Sequence, residues 1–158
     1  MGVANERMVT ADEIYSEHAV ELVRFATVLV GQDDANDIVS SAVLRVLDHG
    51  LDHIDHPRAY LFRAVSNEAR NFRRGAARRR LREERSPVET VTFTPDPYPE
   101  VVAAVRRLSV RQKAVVYLAY WEDMTEGEIA DHLGISQGSV RRHLARARNH
   151  LRRTLNEN

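Results

Sequence analysis

Apolar side chains recur every three or four positions through most of the chain, and the stripes break at glycine, proline or capping residues. Thr10 and Glu13 have capping-box spacing, and Ile14, Tyr15, His18, Leu22, Phe25, Ala26 and Leu29 follow on one helical face, with Gly31 as the stop. Asp33 is the expected cap of a second helix that places Ala35, Ile38, Val39, Ala42, Val43, Val46 and Leu47 inward and stops at Gly50. After a short loop, Leu51 to His56, Pro57 suits the first turn of a third helix with Tyr60, Leu61, Ala64, Val65, Ala69 and Phe72 inside. That helix runs into an arginine run, RRGAARRRLREER, interrupted by Gly75.

From Ser86 to Pro99 the helical period disappears. Four of the five prolines (Pro87, Pro95, Pro97 and Pro99) fall here, so SPVETVTFTPDPYP reads as a linker with some stiffness. Helical spacing then resumes over Glu100 to Leu108, with Val101, Val102, Val105 and Leu108 on one side. A further capping box at Ser109 and Gln112 opens a helix containing Val115, Val116, Leu118 and Ala119, which ends near Trp121. Thr125 and Glu128 form a third box ahead of Ile129, Ala130 and Leu133, and Gly134 is placed where a residue at positive φ ends a helix without a Cβ penalty. Ile135 plugs the corner and Ser136 caps the last helix, whose inward positions are Val140, Leu144, Ala147 and Leu151. Its opposite face carries Arg142, Arg146, Asn149 and Arg153, with Arg141 and Arg148 beside it.

A short helix, a glycine corner and a longer arginine-faced helix are the parts of a DNA-binding helix-turn-helix. A helix fits the major groove, where its first residues reach base edges and arginine binds guanine bidentately. Arginines further along neutralise phosphates and release counterions. The plainer alternative is an amphipathic helical hairpin with a solvated charged face. The expected fold is therefore all-α: two small helical domains, residues 10–74 and 100–158, joined by a flexible linker over 75–99 that is first basic, then proline-rich.

Net charge is zero, which is unusual for a DNA binder, but the charges are sorted along the chain. Residues 1–60 hold eleven acids and four arginines, residues 61–85 nine arginines and three glutamates, and residues 101–158 ten bases and six acids. Nucleic acid responds to the local field rather than to the sum. With no cysteine, neither a disulfide framework nor a cysteine zinc site is available. No apolar run approaches membrane-spanning length and the first residues lack a signal-peptide pattern, so a cytoplasmic protein is expected. Asp48, His49, Asp52, His53, Asp55 and His56 crowd nine residues. They are metal-ligand types, but their spacing follows no zinc motif and no second cluster exists, so neither a metal nor a cofactor is expected. A Walker motif, a nucleophile elbow and a glycine-rich phosphate loop are all missing, so the chain reads as a non-enzyme.

Three stretches, taken in order, carry a resemblance to the bacterial sigma factors of the extracytoplasmic-function group, which retain only regions two and four. LVGQDDANDIVSSAVLRVL resembles the region-two helix with its Asp-Ala-x-Asp-Ile/Leu-Val pattern, RAYLFRAVSNEARNFRR is similar to the promoter-melting segment, and GISQGSVRRHLARARNHLR to the region-four recognition helix. The likeness spans roughly residues 14–153. Ser40 and Ser41 stand where the family often has Gln-Glu, and Asn71 where it often has Asp.

The resemblance implies a subunit of RNA polymerase holoenzyme that directs initiation at specific promoters. Its partners would be core RNA polymerase and promoter DNA, with an anti-sigma factor as a further partner class. Asp34, Asp37, Ser41 and Arg45 would meet the polymerase. Asn67, Arg70, Asn71, Arg73 and Arg74 would serve the −10 element, with a base held between the Leu51–Asp55 loop and the two asparagines. Ser136, Gln137, Ser139, Arg141, Arg142, Arg146 and Arg148 would serve the −35 element. Two competing expectations are a stand-alone helix-turn-helix regulator that binds duplex DNA as a dimer, and a metal-dependent hydrolase built on the Asp/His loop.

Overall fold

A computed structural model describes residues 10–50, 54–83 and 98–156. Seven helices and no strand are present among the described residues: α1 (Ala11–Val30), α2 (Gln32–His49), α3 (Pro57–Glu83), α4 (Pro99–Arg106), α5 (Val110–Tyr120), α6 (Glu126–Leu133) and α7 (Gln137–Asn156).

The caps explain most of the boundaries. Glu13 N–H donates to Thr10 Oγ1 at 3.4 Å while the Glu13 carboxylate accepts from Thr10 N–H at 3.0 Å. Ser109 with Gln112 opens α5 and Thr125 with Glu128 opens α6 by the same reciprocal pair. Each pair satisfies two backbone donors that the helix itself leaves open. Ser136 Oγ accepts from Ser139 N–H at 3.1 Å at the start of α7. Gly134 takes the left-handed conformation, φ 64° and ψ 40°, and turns the chain from α6 toward α7.

Two boundaries differ from the sequence expectation. Asp33 is not the cap of α2. Gly31, at φ 99°, both closes α1 and caps α2, so Asp33 and Asp34 sit in the first turn, where their charge favours the helix dipole. The third helix passes Gly75 unbroken and reaches Glu83, so helix occupies 75–83, where the linker was expected to begin. One glycine costs a helix about 1 kcal/mol, and alanine and arginine neighbours favour continuation. Residues 84–97, the proline-rich remainder, lie outside the described residues.

Helices α1, α2 and α3 pack as one module around Leu22, Phe25, Leu29, Val39, Phe62 and Val65, all fully buried. Helices α4 to α7 form a second around Val115, Leu118, Ile129, Leu133 and Val140. Each buried side chain of this size contributes about 1.5–3 kcal/mol of transfer free energy. The modules also dock on each other. Helix α5 packs on α1 and α3, and α6 packs on α3, so the two cores are continuous. The Phe25 ring joins them, 4.9 Å from Phe62 and 5.3 Å from Tyr117 of α5.

Candidate polymerase and nucleic-acid surfaces

The helix-turn-helix is built as its sequence predicts. Val140, Leu144 and Ala147 turn inward on α7, which leaves Arg141, Arg142, Arg146 and Arg148 exposed on the other side. The four arginines are not equivalent. Arg141 Nε donates to the Glu126 carboxylate at 2.6 Å. Arg148 Nε donates to the Tyr120 hydroxyl at 2.7 Å, and its guanidinium lies 5.7 Å from that ring's centre. Arg142 and Arg146 have neither a hydrogen bond nor an ion pair among the described residues. They are one turn apart with free donors. Gln137 and Ser139 stand at the helix start, and the Gln137 amide lies so close to Gly127 that a Cβ there would come within 2.9 Å of it.

On the first module, α2 and the second half of α3 enclose an open cleft of about 550 Å³. Asp37, Ile38 and Ser41 line one wall; Glu68, Asn71 and Phe72 line the other. Arg45 Nε donates to Glu68 at 3.2 Å across its edge. Three of the four residues expected to meet the polymerase therefore gather at this cleft, joined by one residue expected to serve the −10 element. Asp34 is half-buried nearer the start of α2.

Of the base trap expected between the Leu51–Asp55 loop and the asparagines, only Ile54, Asp55, Asn67 and Asn71 are described. Residues 51–53, and with them Asp52 and His53, lie outside the described residues. Ile54, Asp55 and His56 line a second cleft of about 390 Å³ with Ala59, Tyr60, Arg63 and Asp131. Asn71 belongs to the α2–α3 cleft, eleven residues and about 16 Å of helix beyond Tyr60 at 1.5 Å per residue. Asn67 is exposed between the two clefts. One base cannot touch the cleft at Ile54–His56 and Asn71 together. Arg73 and Arg74 are exposed, whereas Arg70 is half-buried, and its charge, after burial, lowers the pKa of Arg111 on α5.

Sequence reading missed the residues that join the modules. Arg58 donates through Nε and Nη2 to both Glu21 oxygens at 2.8–3.1 Å, and through Nη2 to Glu122 at 3.0 Å. Its guanidinium lies 4.8 Å from the Phe62 ring centre. The hydrogen bond to Glu21, partly opposed by burial, holds the Arg58 pKa above its ordinary value. Burial works against charge on Glu21, but the bonds from Arg58 and His18 outweigh it and keep that carboxyl below its usual 4.5. Arg63 Nη2 donates to the Asp131 carbonyl at 2.7 Å, and the same side chain covers Gly134. Helix α6 thereby closes over the cleft at Ile54–His56. Of the Asp/His run, Asp48, His49, Asp55 and His56 are described, and His49 Nδ1 bonds the Arg45 carbonyl at 2.7 Å. No group of three metal-ligating side chains occurs among the described residues.

Three comparisons bear on this geometry. Residues 99–151 match the family model described as Sigma-70, region 4. The chain is 33% identical over 161 residues to the ECF RNA polymerase sigma factor SigL of Mycobacterium tuberculosis, covering 91% of this chain and 88% of that protein. Among solved structures it is similar to the sigma factor RpoE in complex with the anti-sigma factor NepR from Bartonella quintana. That match has a TM-score of 0.71 and 22% identity, and covers 92% of this chain and 98% of that one. It is also similar to CnrH in complex with the cytosolic domain of CnrY, with a TM-score of 0.63 and 26% identity, over 94% and 88% of the two chains.

Proposed function

The chain belongs to the extracytoplasmic-function sigma factors of RNA polymerase, and on that premise we propose how its surfaces divide the work of promoter-specific initiation. Residues 100–158 read the −35 element. Arg142 and Arg146 contact base edges, because in the first half of α7, nearest the helix start, they are the arginines whose donors are unengaged among the described residues. Gln137 and Ser139 border them, Ser136 fixes the helix start, and Arg141 and Arg148 hold backbone phosphates once released from Glu126 and Tyr120. Residues 10–74 bind core polymerase and serve the −10 element, with 75–99 as the connection.

Asp34, Asp37, Ser41 and Arg45 form the polymerase contact on α2. Asn67 and Asn71 offer paired donors and acceptors to single-stranded bases along α3, and Arg70, Arg73 and Arg74 follow the displaced strand's phosphates. A base captured at Ile54–His56 would be a different one from the base at Asn71. Two separated promoter elements cannot be read while α6 covers that cleft, so the modules must part on the polymerase. An anti-sigma factor is a fitting further partner, since the similar sigma factor RpoE is bound to one. The working compartment is that of the polymerase, the cytoplasm. Among the described residues no helix is long and apolar enough to cross a membrane, and the family is not one of catalytic enzymes.

The observation that carries this reading over a stand-alone regulator is extent. A regulator needs only α4 to α7, whereas the likeness to SigL includes the α2–α3 module. The test is co-purification with core polymerase. Asp34→Arg with Asp37→Arg should abolish it while helicity is kept. Unchanged affinity of the folded double variant removes α2 from the interface.

A further inference from the structure

The junction of the two modules carries a concentration of positive charge that packing does not explain. Arg70 and Arg73 approach it from α3, Arg106 from α4, Arg111 and Lys113 from α5, and His143 from α7. Lys113 is the only lysine in the chain and is 4% exposed. Burial first, then the fields of Arg73 and Arg106, lowers its pKa to about 8. Arg111 Nη1 and His143 Nδ1 are buried and make no hydrogen bond. Arg142 and Arg146 extend the same field through His143.

Among the described side chains of α3, α5 and α7 nothing negative answers these groups. Helices α5 and α7 contain no acid, and Glu68 of α3 is turned to Arg45 on the far side. None of the six takes part in an ion pair among the described residues. Like charges held together in a partly desolvated seam are costly, and an uncompensated buried ammonium is more so. A methionine would pack in place of Lys113 without that cost. Such a set is what a multiply charged anion neutralises. Guanidinium forks match phosphate oxygens bidentately, and a lysine beneath them adds a point charge. The members of the set come from both modules.

We infer that this seam is a binding site for a small oligophosphate, which bridges α3 of the first module to α5 and α7 of the second. Occupied, it would hold the modules together and withhold Arg70, Arg73 and the adjoining Arg142 and Arg146 from promoter phosphates. The inference stands on the packing of the modules and not on any promoter contact.

The probe is sodium tripolyphosphate, titrated calorimetrically into the full chain at pH 7 and fixed ionic strength, with no DNA or polymerase present. Failure there would thus leave the promoter assignment untouched. The expected result is one site per chain, at least tenfold tighter than for orthophosphate. Lys113→Met and Arg111→Gln should each weaken it at least tenfold, whereas Arg152→Gln, at the exposed end of α7, should change it less than twofold. Melting curves check that each variant is folded. Adenosine triphosphate separates the sources. Affinity equal to tripolyphosphate assigns the site to phosphate alone, and affinity tenfold higher assigns it to a nucleotide. Absence of saturable binding overturns the inference. So does an equal loss in Arg152→Gln, which would mean diffuse attraction. Binding of a glutamate decapeptide in place of tripolyphosphate would give the seam to an acidic protein segment instead.

Discussion

Replacing Arg58 by methionine removes the charged link between the modules while keeping an unbranched chain over Phe62. Arg58 holds Glu21 inside its own module and Glu122 across the junction. Hydrogen bonds to charged groups contribute about 1.5–3 kcal/mol when well shielded. Here the side chains of Arg58, Glu21 and Glu122 are 32%, 24% and 19% exposed, so solvent screening lowers that figure. About 1 kcal/mol is reasonable for the Glu122 limb, about 1–1.5 for the bidentate Glu21 limb, and about 0.5 for the face of Phe62. Arg58→Met should then cost about 2–3 kcal/mol and lower Tm by about 5–10 °C in a chain of this size. Glu122→Gln cuts only the crossing limb, so about 1 kcal/mol should move the docked-to-parted ratio about fivefold.

The chain lacks cysteine, so Glu17→Cys on α1 and Asn149→Cys on α7 give unique spin-label sites. Pulsed dipolar distances should show a longer, broader component in Arg58→Met and a smaller one in Glu122→Gln. The double variant should show a coupling of about 1 kcal/mol. If Arg58→Met leaves both the distance distribution and Tm unchanged, the ionic link does not hold the modules and the apolar contact of Phe25 with Tyr117 is sufficient.

Lys113 binds its proton less tightly in the folded chain, at about 8, than at its ordinary 10.5. Between those values the unfolded chain holds more protons, so stability rises with pH there. Lys113→Met should raise Tm at pH 7 by about 2–6 °C, for about 1–2 kcal/mol, and the gain should shrink from pH 8 to 10.5; a pH-independent gain refutes the charge argument. Gly134→Ala forces a Cβ into the left-handed region and within 2.7 Å of Arg63 Nε. It should cost about 1–2 kcal/mol in thermal melts and loosen α6 from α3, and a melt within 1 °C of the parent counts against strain at this corner. Asn71→Ala should reduce permanganate-reactive thymines in the open complex at different positions from Asn67→Ala, since the two lie at different places along α3; identical footprints would mean one shared base site.

Local features were legible in the sequence because their causes are local. Thr10, Ser109 and Thr125 cap helices through bonds that span three residues, and Gly134 satisfies a backbone need within its own turn. The inward stripe of α7 fixes its arginine face for the same reason. The misplaced Asp33 cap came from a side-chain preference that Gly31 overrode by serving two helices with one residue. The continuation of α3 past Gly75 shows how weakly a lone glycine acts inside a run of good helix formers. What could not be read were pairings across long separations. Glu21, Arg58 and Glu122 are 37 and 64 residues apart, and each alone resembles a solvated surface charge. Tyr120 removes Arg148 from the free arginines across 28 residues, and Glu126 removes Arg141 across 15. Helix spacing alone could not say which part of α3 lies beside Ile54 and Asp55. Ile54 and Asp55 lie beside the first turn of α3, while Asn71 faces α2 three turns later.

The central claim is that both modules act together on polymerase at a promoter with two elements. Run-off transcription with core polymerase, followed by mapping of transcript starts, tests it most directly. The purified chain should give discrete starts that require added core, and these should share upstream −35 and −10 sequences. Arg142→Ala should relax preference at one −35 position, losing about 1–3 kcal/mol of discrimination, and Asn71→Ala should alter only the −10 preference. Starts no more specific than with core alone, together with tight binding of the isolated chain to a two-fold-symmetric duplex, would contradict the account.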